Sequence, residues 1–492
     1  MIRITRLADI DWIKLYRIVY QHEAVELDPE LLHQVDAARA HFDDLIARGV
    51  PCYGLTTGLG KLVELDPDAS AASEIAANIL RERAAAIGQP MPAAAARAML
   101  VLRLVNFLSG RDGVSAALCK YLVDRLTDGF TPWVPLLGHG MAADATANSH
   151  AFQTIAGIGY VIDRKGRRKK AAGALKKLKV EPCEVTRREA LALINGVCAA
   201  PALAFDVYQV LHRLLRLANL VGAVSMDAIA APRDSIDPAV AAVSSAAGIG
   251  EVIKALRKHL NHSEVVPLKL QSPVSCRVLP QVHGAFADAM VEFRQRIEHC
   301  FTDFSDNPMQ DGERILSVGL FHNQHLVNQA EQVALALAHV GSLSERRIHR
   351  LLDPAMTGLN AQLARQPGID AGLVTAHKAC IDLSARLRVL AQPVSLLTGE
   401  SSMGQEDYMS MAIPVLDRLY QMADLCRAIL AYELLAGVTA VRMRAQRPGD
   451  DVAEVERLLA EELPAAETLP PGRLVERSLE LIDGGRLAGL IG

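Results

Sequence analysis

Apolar residues recur at helical spacing along most of this chain. Ala69–Ala86 and Ala93–Leu108 are clear examples, and the second follows Pro90 and Pro92 and stops at Ser109-Gly110. Leu203–Val221 is longer and amphipathic, with Arg213 and Arg216 interrupting its apolar pattern. Ala330–Leu352 and Leu373–Ala391 look similar, Pro393 closing the latter, and Ile413–Met443 is again long and apolar. Strand-like runs are few and short. The pattern predicts a mainly α protein with a long-helix bundle at its centre.

Composition narrows the class. Half of the 492 residues are hydrophobic, ample material for a large core. A net charge of -4 argues against a nucleic-acid binder, which carries a basic excess. No run approaches the ~18 apolar residues of a membrane span, and Met1–Gln21 is too mixed in polarity for a signal peptide. The cysteines (52, 119, 183, 198, 276, 300, 380 and 426) are scattered without CxxC pairing. They read as reduced thiols of a cytoplasmic protein, with no zinc site. One charge run stands out, nine basic residues within Arg164–Lys179. Such a run predicts a solvated surface hairpin, or a docking patch for an acidic partner or phosphate-bearing substrate.

Candidate chemistry lies outside the long helical runs. Residues 52–60 read Cys-Tyr-Gly-Leu-Thr-Thr-Gly-Leu-Gly, where the glycines let the backbone approach a ligand and Tyr53 heads the loop. Alternatively Tyr53 is the apolar anchor of a glycine-rich turn. In 271–284, Arg277 lies among apolar residues. A buried arginine needs a partner, either a substrate carboxylate or an internal carboxylate. Residues 305–308 form a Ser-Asp-Asn-Pro turn, and Gln405-Glu406-Asp407 sits in an otherwise nearly uncharged stretch.

Taken in order, these segments resemble the aromatic amino acid ammonia-lyases, the histidine and phenylalanine lyases. Their Tyr-Gly-x-Asn-Thr-Gly-x-Gly loop is similar to Tyr53–Gly60, with Thr56 for Asn. Their Asn-Leu-Leu-Arg-Ser-His resembles Asn78–Arg83, and their Leu-Ile-Asn-Gly is Leu193–Gly196. Their Tyr-Ser-x-Arg-x-x-Pro-Gln resembles Val274–Gln281. Asp306–Pro308, Gly319–Asn323 and Gln405–Asp407 match three further motifs. The resemblance spans about Ile18–Met443. It implies a mainly helical fold assembled as a homotetramer, each active site drawing on three chains. It implies a methylidene imidazolone (MIO) electrophile made from an internal Ala-Ser-Gly, which captures the substrate amine. The loop tyrosine, here Tyr53, would remove the β-proton, and Arg277 would hold the substrate carboxylate, with Asn195 beside them. On this reading 1–197 is an N-terminal domain with the Tyr loop and the MIO segment, 198–446 the central bundle, and 447–492 a helical tail.

The pattern breaks where the electrophile should form. Between the matching anchors Gly138 and Asp144 the chain reads His139-Gly140-Met141-Ala142-Ala143, one residue short of the family motif. Met141-Ala142-Ala143 stands for Ala-Ser-Gly, and the cofactor serine falls on Ala142 or Ala143. Neither has a hydroxyl or thiol to eliminate, so no MIO is expected. Arg83 replaces the family's histidine, Val274 its tyrosine and Leu320 its asparagine. Tyr53, Asn195, Arg277, Phe321, Gln405 and Glu406 are retained, and His150 matches a family position. The expectation is an MIO-independent enzyme working by acid/base chemistry on a carboxylate- or carbonyl-bearing small molecule. Tyr53, Asn195 and Arg277 would be catalytic. Arg83, His139, His150, Val274, Phe321, Gln405 and Glu406 would contact substrate, with Arg83, His139 or His150 replacing the electrophile. Elimination, isomerisation, cyclisation and condensation all suit that chemistry. The alternatives are a non-catalytic ligand-binding homologue and, last, a conventional ammonia-lyase. No metal is expected: the spacing of His283, His322 and His325 has no zinc logic.

Overall fold

The computed structural model describes residues 1–58, 72–462 and 469–491. Leu59, Gly60, the first residues of the predicted 69–86 helix and Pro464 lie outside the described residues. The fold is mainly helical, as the periodicity predicts. The long helices are Pro29–Ala47, Ala93–Phe107, Ala199–Ala228, Leu279–Thr302, Gln324–Leu351, Val374–Leu390 and Ala412–Met443. The strands among the described residues form two-stranded pairs only.

The chain divides into two compact units that do not follow sequence order. The first comprises Met1–Val207, Arg294–Ala330 and Pro393–Asp417; the second comprises Tyr208–Phe293, Glu331–Gln392 and Arg418–Gly492. Most crossings from one unit to the other fall inside a long helix. Consecutive segments such as 1–197, 198–446 and 447–492 therefore do not coincide with these units. Segment 447–492 is no free tail within the second unit. The Gly449 amide donates to the buried Asp227 carboxylate at 2.8 Å, and His259 Nδ1 meets Asp451 at 2.7 Å.

Two sequence expectations need correction. Segment 271–284 is largely helical: Val274–Arg277 is one short helix, and Leu279 starts the next. Pro280 is compatible with this because the first turn of a helix needs no N–H donor from it. Helical stretch 187–228 does contain a window apolar and long enough to cross a membrane, but 89% of that window is buried inside the protein. It is a core helix.

In the first unit the helix ends explain the packing. Thr186 and Glu189 form a capping box at the start of Arg187–Ile194. The other Glu189 oxygen accepts from the amide and hydroxyl of Ser115, at 3.1 and 2.7 Å, where Ala116–Thr127 begins. Helix Ala93–Phe107 is buried on nearly all sides, arginines included. Arg103 lies 3.4 Å from Asp112 and 3.3 Å from Asp306, and Arg188 lies 2.9 Å from Asp306. Two cations thus face two carboxylates, all fully buried. Burial raises the Asp112 carboxyl, and the charge of Arg103 opposes that rise.

The core of the second unit has a comparable device. Glu433 is fully buried and accepts a two-pronged bridge from Arg347, at 2.5 and 2.8 Å, plus the hydroxyls of Ser225 and Ser344. Every carboxylate oxygen is satisfied, as a buried charge requires.

Candidate active site

The candidate site is built within the first unit. Tyr53 sits in a turn knotted by its own threonines. The Cys52 amide donates to Thr56 Oγ1 at 2.8 Å, and Thr56 Oγ1 donates back to the Cys52 carbonyl at 3.2 Å. Gly54, at φ +74°, donates to Thr57 Oγ1 at 3.0 Å. Arg187 fixes the Thr57 carbonyl from the neighbouring helix at 2.8 Å. The turn presents a half-buried Tyr53 to a cavity of about 480 Å³.

Asn195 caps the C-terminus of Arg187–Ile194, and its side-chain amide donates to the Asn307 carbonyl. Gly196 follows at φ +103°, where a side chain would collide with the Ser305 carbonyl and Arg103. The glycine is therefore required for the close approach that seats Asn195 on the Asp306-Asn307 turn. Asp306 is itself held in the buried four-charge cluster.

The degenerate segment forms another wall of the same cavity. Met141, Ala142 and Ala143 line it with Arg83 and Phe321. The Ala142 amide donates to Glu406 Oε2 at 3.2 Å, and Ser402 donates to Glu406 Oε1 at 2.9 Å. Loop 401–406 is held by the Ser401 amide on the Glu406 carbonyl at 2.7 Å, with Ser402 and Met403 both at φ +52°. A carboxylate is therefore fastened to the middle residue of the segment. Leu191 and Ile194 make another part of the cavity apolar, and Gln405 adds an amide.

Below this wall lies Asp144. Its carboxyl is buried and accepts from the Ala200 amide at 2.8 Å and from Asn323 at 3.2 Å. Burial pushes it up to about 7, against the opposing pull of the Ala200 and Ala199 amides and of Asn323.

Tyr53, Arg83, Asn195, Phe321, Gln405 and Glu406 are thus brought together. His139 instead lines a cleft of about 10 Å³ with Asp144 and Thr146. Its Nε2 meets the Pro135 carbonyl at 2.8 Å, and burial lowers its basicity. His150 lies near Ala86, His139 and Arg168 and does not line the large cavity; burial, then the charges of His139 and Arg168, lowers it to about 4. A neutral imidazole is a poor source of electrophilic assistance, and neither histidine lines the large cavity. Val274 and Arg277 belong to the second unit. There Val274 is exposed, and Arg277 Nε is buried without a hydrogen bond among the described residues.

The motifs did not single out Asn307, Ser317 or Ser402, which also line the cavity. For Asn307 a signal existed, its place in the Asp-Asn-Pro turn. Ser317 and Ser402 carry no comparable mark.

A family model for aromatic amino acid lyases matches residues 10–461. Histidine ammonia-lyase of Myxococcus xanthus (strain DK1622) is 31% identical, over 99% of this chain and 98% of its own length. Histidine ammonia-lyase of Symbiobacterium thermophilum is 33% identical over 86% of this chain and 85% of its own. Among solved structures, an ergothioneine-degrading ergothionase from Treponema denticola, in complex with desmethyl-ergothioneine sulfonic acid, superposes with a TM-score of 0.93. It is 25% identical and covers 97% of this chain and 98% of its own. Histidine ammonia-lyase from Trypanosoma cruzi superposes at 0.86, with 25% identity and 98% and 93% coverage. With the motifs in order, the cavity built from them and a match along nearly its whole length, the chain belongs to the aromatic amino acid lyase family.

Proposed function

We propose that this chain is an enzyme that works without MIO, eliminating a group that needs no electrophile to leave. The observation that carries this is the wall at 141–143. Ring formation requires a leaving group on the middle residue, and Ala142 offers only a methyl. Its amide is engaged by Glu406 at 3.2 Å. The Thr146 hydroxyl lies four residues further on and donates to Met141 Sδ at 2.9 Å. The residues present therefore do not fit the cofactor, and no step is routed through it.

The chain's own groups suffice for proton transfer and charge stabilisation. Tyr53 supplies a phenol as general base or acid. Arg83 supplies a fixed cation for an oxyanion that develops at the reacting carbon's neighbour. Glu406 supplies a fixed negative charge facing a substrate cation. Arg277 binds the substrate carboxylate from another subunit of a homotetramer. An ordinary α-amino acid is a poor substrate here, because its β-carbon is weakly acidic and ammonia leaves badly. A carbon already acidified by a carbonyl, thioester or imine suits the site better. So does a betaine: a quaternary ammonium departs as a neutral amine without assistance. Ergothioneine, which the T. denticola enzyme degrades, is a betaine, and Glu406 with Phe321 and Tyr53 makes a suitable cation pocket. The unpaired thiols suit a cytoplasmic setting.

The names of the M. xanthus and S. thermophilum relatives favour a second reading, a conventional histidine ammonia-lyase. The test is to incubate purified protein with histidine, phenylalanine, tyrosine, ergothioneine and the trimethylbetaine of histidine. Metabolite extracts of a deletion strain extend the panel. No urocanate, cinnamate or coumarate is expected from the free amino acids. Their formation overturns the proposal. Turnover of a betaine or carbonyl substrate that is lost in Tyr53→Phe, with fold intact, supports it. Ligand binding without turnover in any extract makes the chain a non-catalytic homologue instead.

A further inference from the structure

Among the described residues, two charged side chains line the large cavity of the candidate site, Arg83 and Glu406. They do not neutralise each other, and neither makes an ion pair with any other described residue. Both Glu406 oxygens are engaged by neutral donors, the Ala142 amide at 3.2 Å and the Ser402 hydroxyl at 2.9 Å. The cavity therefore holds one positive and one negative charge, kept apart. Between them its lining is neutral: Leu191, Ile194 and Phe321 are apolar, and Asn195 and Gln405 are amides.

Arg83 follows the C-terminus of helix Ala72–Glu82 and is half-buried. A cation is favoured at that end of a helix, and Nη1 of Arg83 reaches the Ile79 carbonyl. At 3.5 Å this contact is at the limit of a hydrogen bond. Nε and Nη2 make no hydrogen bond among the described residues, and neither is sealed from solvent. These two nitrogens share one edge of the guanidinium, the edge that matches a carboxylate. Arg347 uses that same edge to hold Glu433 in two prongs, at 2.5 and 2.8 Å. Arg83 thus offers an open two-donor edge, and no carboxylate among the described residues fills it. Stabilising a developing oxyanion uses such a cation only while the reaction proceeds. A guanidinium beside apolar walls also favours a full anion at rest, through a charge-assisted pair.

We propose that the substrate carries an acidic group on the part that faces Arg83, besides the carboxylate assigned to Arg277 and the cation facing Glu406. The substrate class is then an inner salt with an anionic side chain, and Arg83 is the residue that selects it. This deepens the proposed function and rests on its reading of the cavity as the substrate site. A neutral phenyl or imidazole side chain would displace water from Nε and Nη2 without replacing its hydrogen bonds. Glu406 acts in the opposite sense, since it repels an anion from its own side of the cavity. The acidic group therefore has one favourable place. The volume of about 480 Å³ accommodates a ring bearing one such substituent.

Binding is measured calorimetrically on the full-length protein, so the result does not depend on turnover. The probes are the trimethylbetaine of phenylalanine and its 3-carboxy and 4-carboxy derivatives. At least one carboxylated probe should bind about tenfold more tightly than the unsubstituted betaine, the weight of one charge-assisted contact. Arg83→Met should remove that preference, and Arg83→Lys should keep part of it. Should Arg83→Met not fold, Arg83→Gln carries the test in its place. Glu406→Gln should weaken the betaines and leave the preference standing. A second series, 3-phenylpropionate and its ring-carboxylated derivatives, carries no cation. A preference for the carboxylated members there, without binding of any betaine, sinks the betaine reading and upholds the role of Arg83. The inference is overturned by equal affinities within both series, by tighter binding of the unsubstituted compounds, or by a preference that survives Arg83→Met. Absence of saturable binding in both series overturns it as well.

Discussion

Asp144 shows how one buried side chain sets the response of the site to pH. Its carboxyl is up to about 7 in the folded protein against an ordinary value of 3.8. The folded state therefore holds that proton more tightly than the unfolded chain does. Between roughly pH 4 and 7 the unfolded state releases it first, so this residue's contribution to stability falls as pH rises, then levels off. At ~1.4 kcal/mol per unit, the span amounts to about 4 kcal/mol. His150 works in the opposite sense, because it is lowered to about 4 from 6.5. Its contribution is lost as pH falls through the same window. Asp144→Asn keeps an acceptor for the Ala200 amide, and the Asn323 amide can turn to meet the new donor. Urea unfolding across this range should give a variant whose stability rises more steeply with pH than the parent's. Identical slopes in parent and variant would show that Asp144 does not hold a proton in the folded state.

At the scale of elements, the long helices were legible because their apolar period is uninterrupted for many turns. The predicted Ile413–Met443 became Ala412–Met443, and Leu373–Ala391 became Val374–Leu390. Leu279–Thr302 escaped because Pro280 and the motif residues around Arg277 masked its first turn. The site was legible as a set of motifs, but its contacts were not. Glu406 and Ala142 lie 264 positions apart, and no local pattern announces their hydrogen bond. The charge cluster that seats the Asp306-Asn307 turn was equally hidden, since Arg103, Asp112, Arg188 and Asp306 come from four separate segments. Its energetic weight can be measured. Arg188→Ala removes the 2.9 Å partner of Asp306 and a donor to the Asp112 carbonyl. Breaking a buried pair from one side leaves a charge uncompensated, at a cost of about 3–5 kcal/mol. Chemical denaturation should show that loss. A change under about 1 kcal/mol, within the range of surface pairs, would mean the cluster contributes little.

For the molecule as a whole, the question is whether Ala142, in place of a cofactor-forming serine, is a single lesion or one of several linked changes. A single lesion should be repairable by substitution. The segment between Gly138 and Asp144 argues otherwise, because it is one residue shorter than the family motif and no substitution restores length. Glu406 also holds the amide of residue 142, in a loop bent by Ser402 and Met403 at positive φ. Arg83 adds a cation to the cavity where the family has a histidine. The shortened segment and Arg83 act together on one cavity, while Tyr53, Asn195, Phe321, Gln405 and Glu406 still line it. The combined variant Met141→Ala, Ala142→Ser, Ala143→Gly rebuilds the triad without the length. Its intact mass should equal the mass of its sequence, as should that of the parent, with no MIO absorbance. A deficit of two waters in the variant would mean that the shortened loop still permits cyclisation and that residues 141–143, not the length of the segment, prevent it in the parent. An unmodified variant that keeps the parent's fold would place the change in the whole cavity, as expected of a site altered both in the length of segment 139–143 and at Arg83.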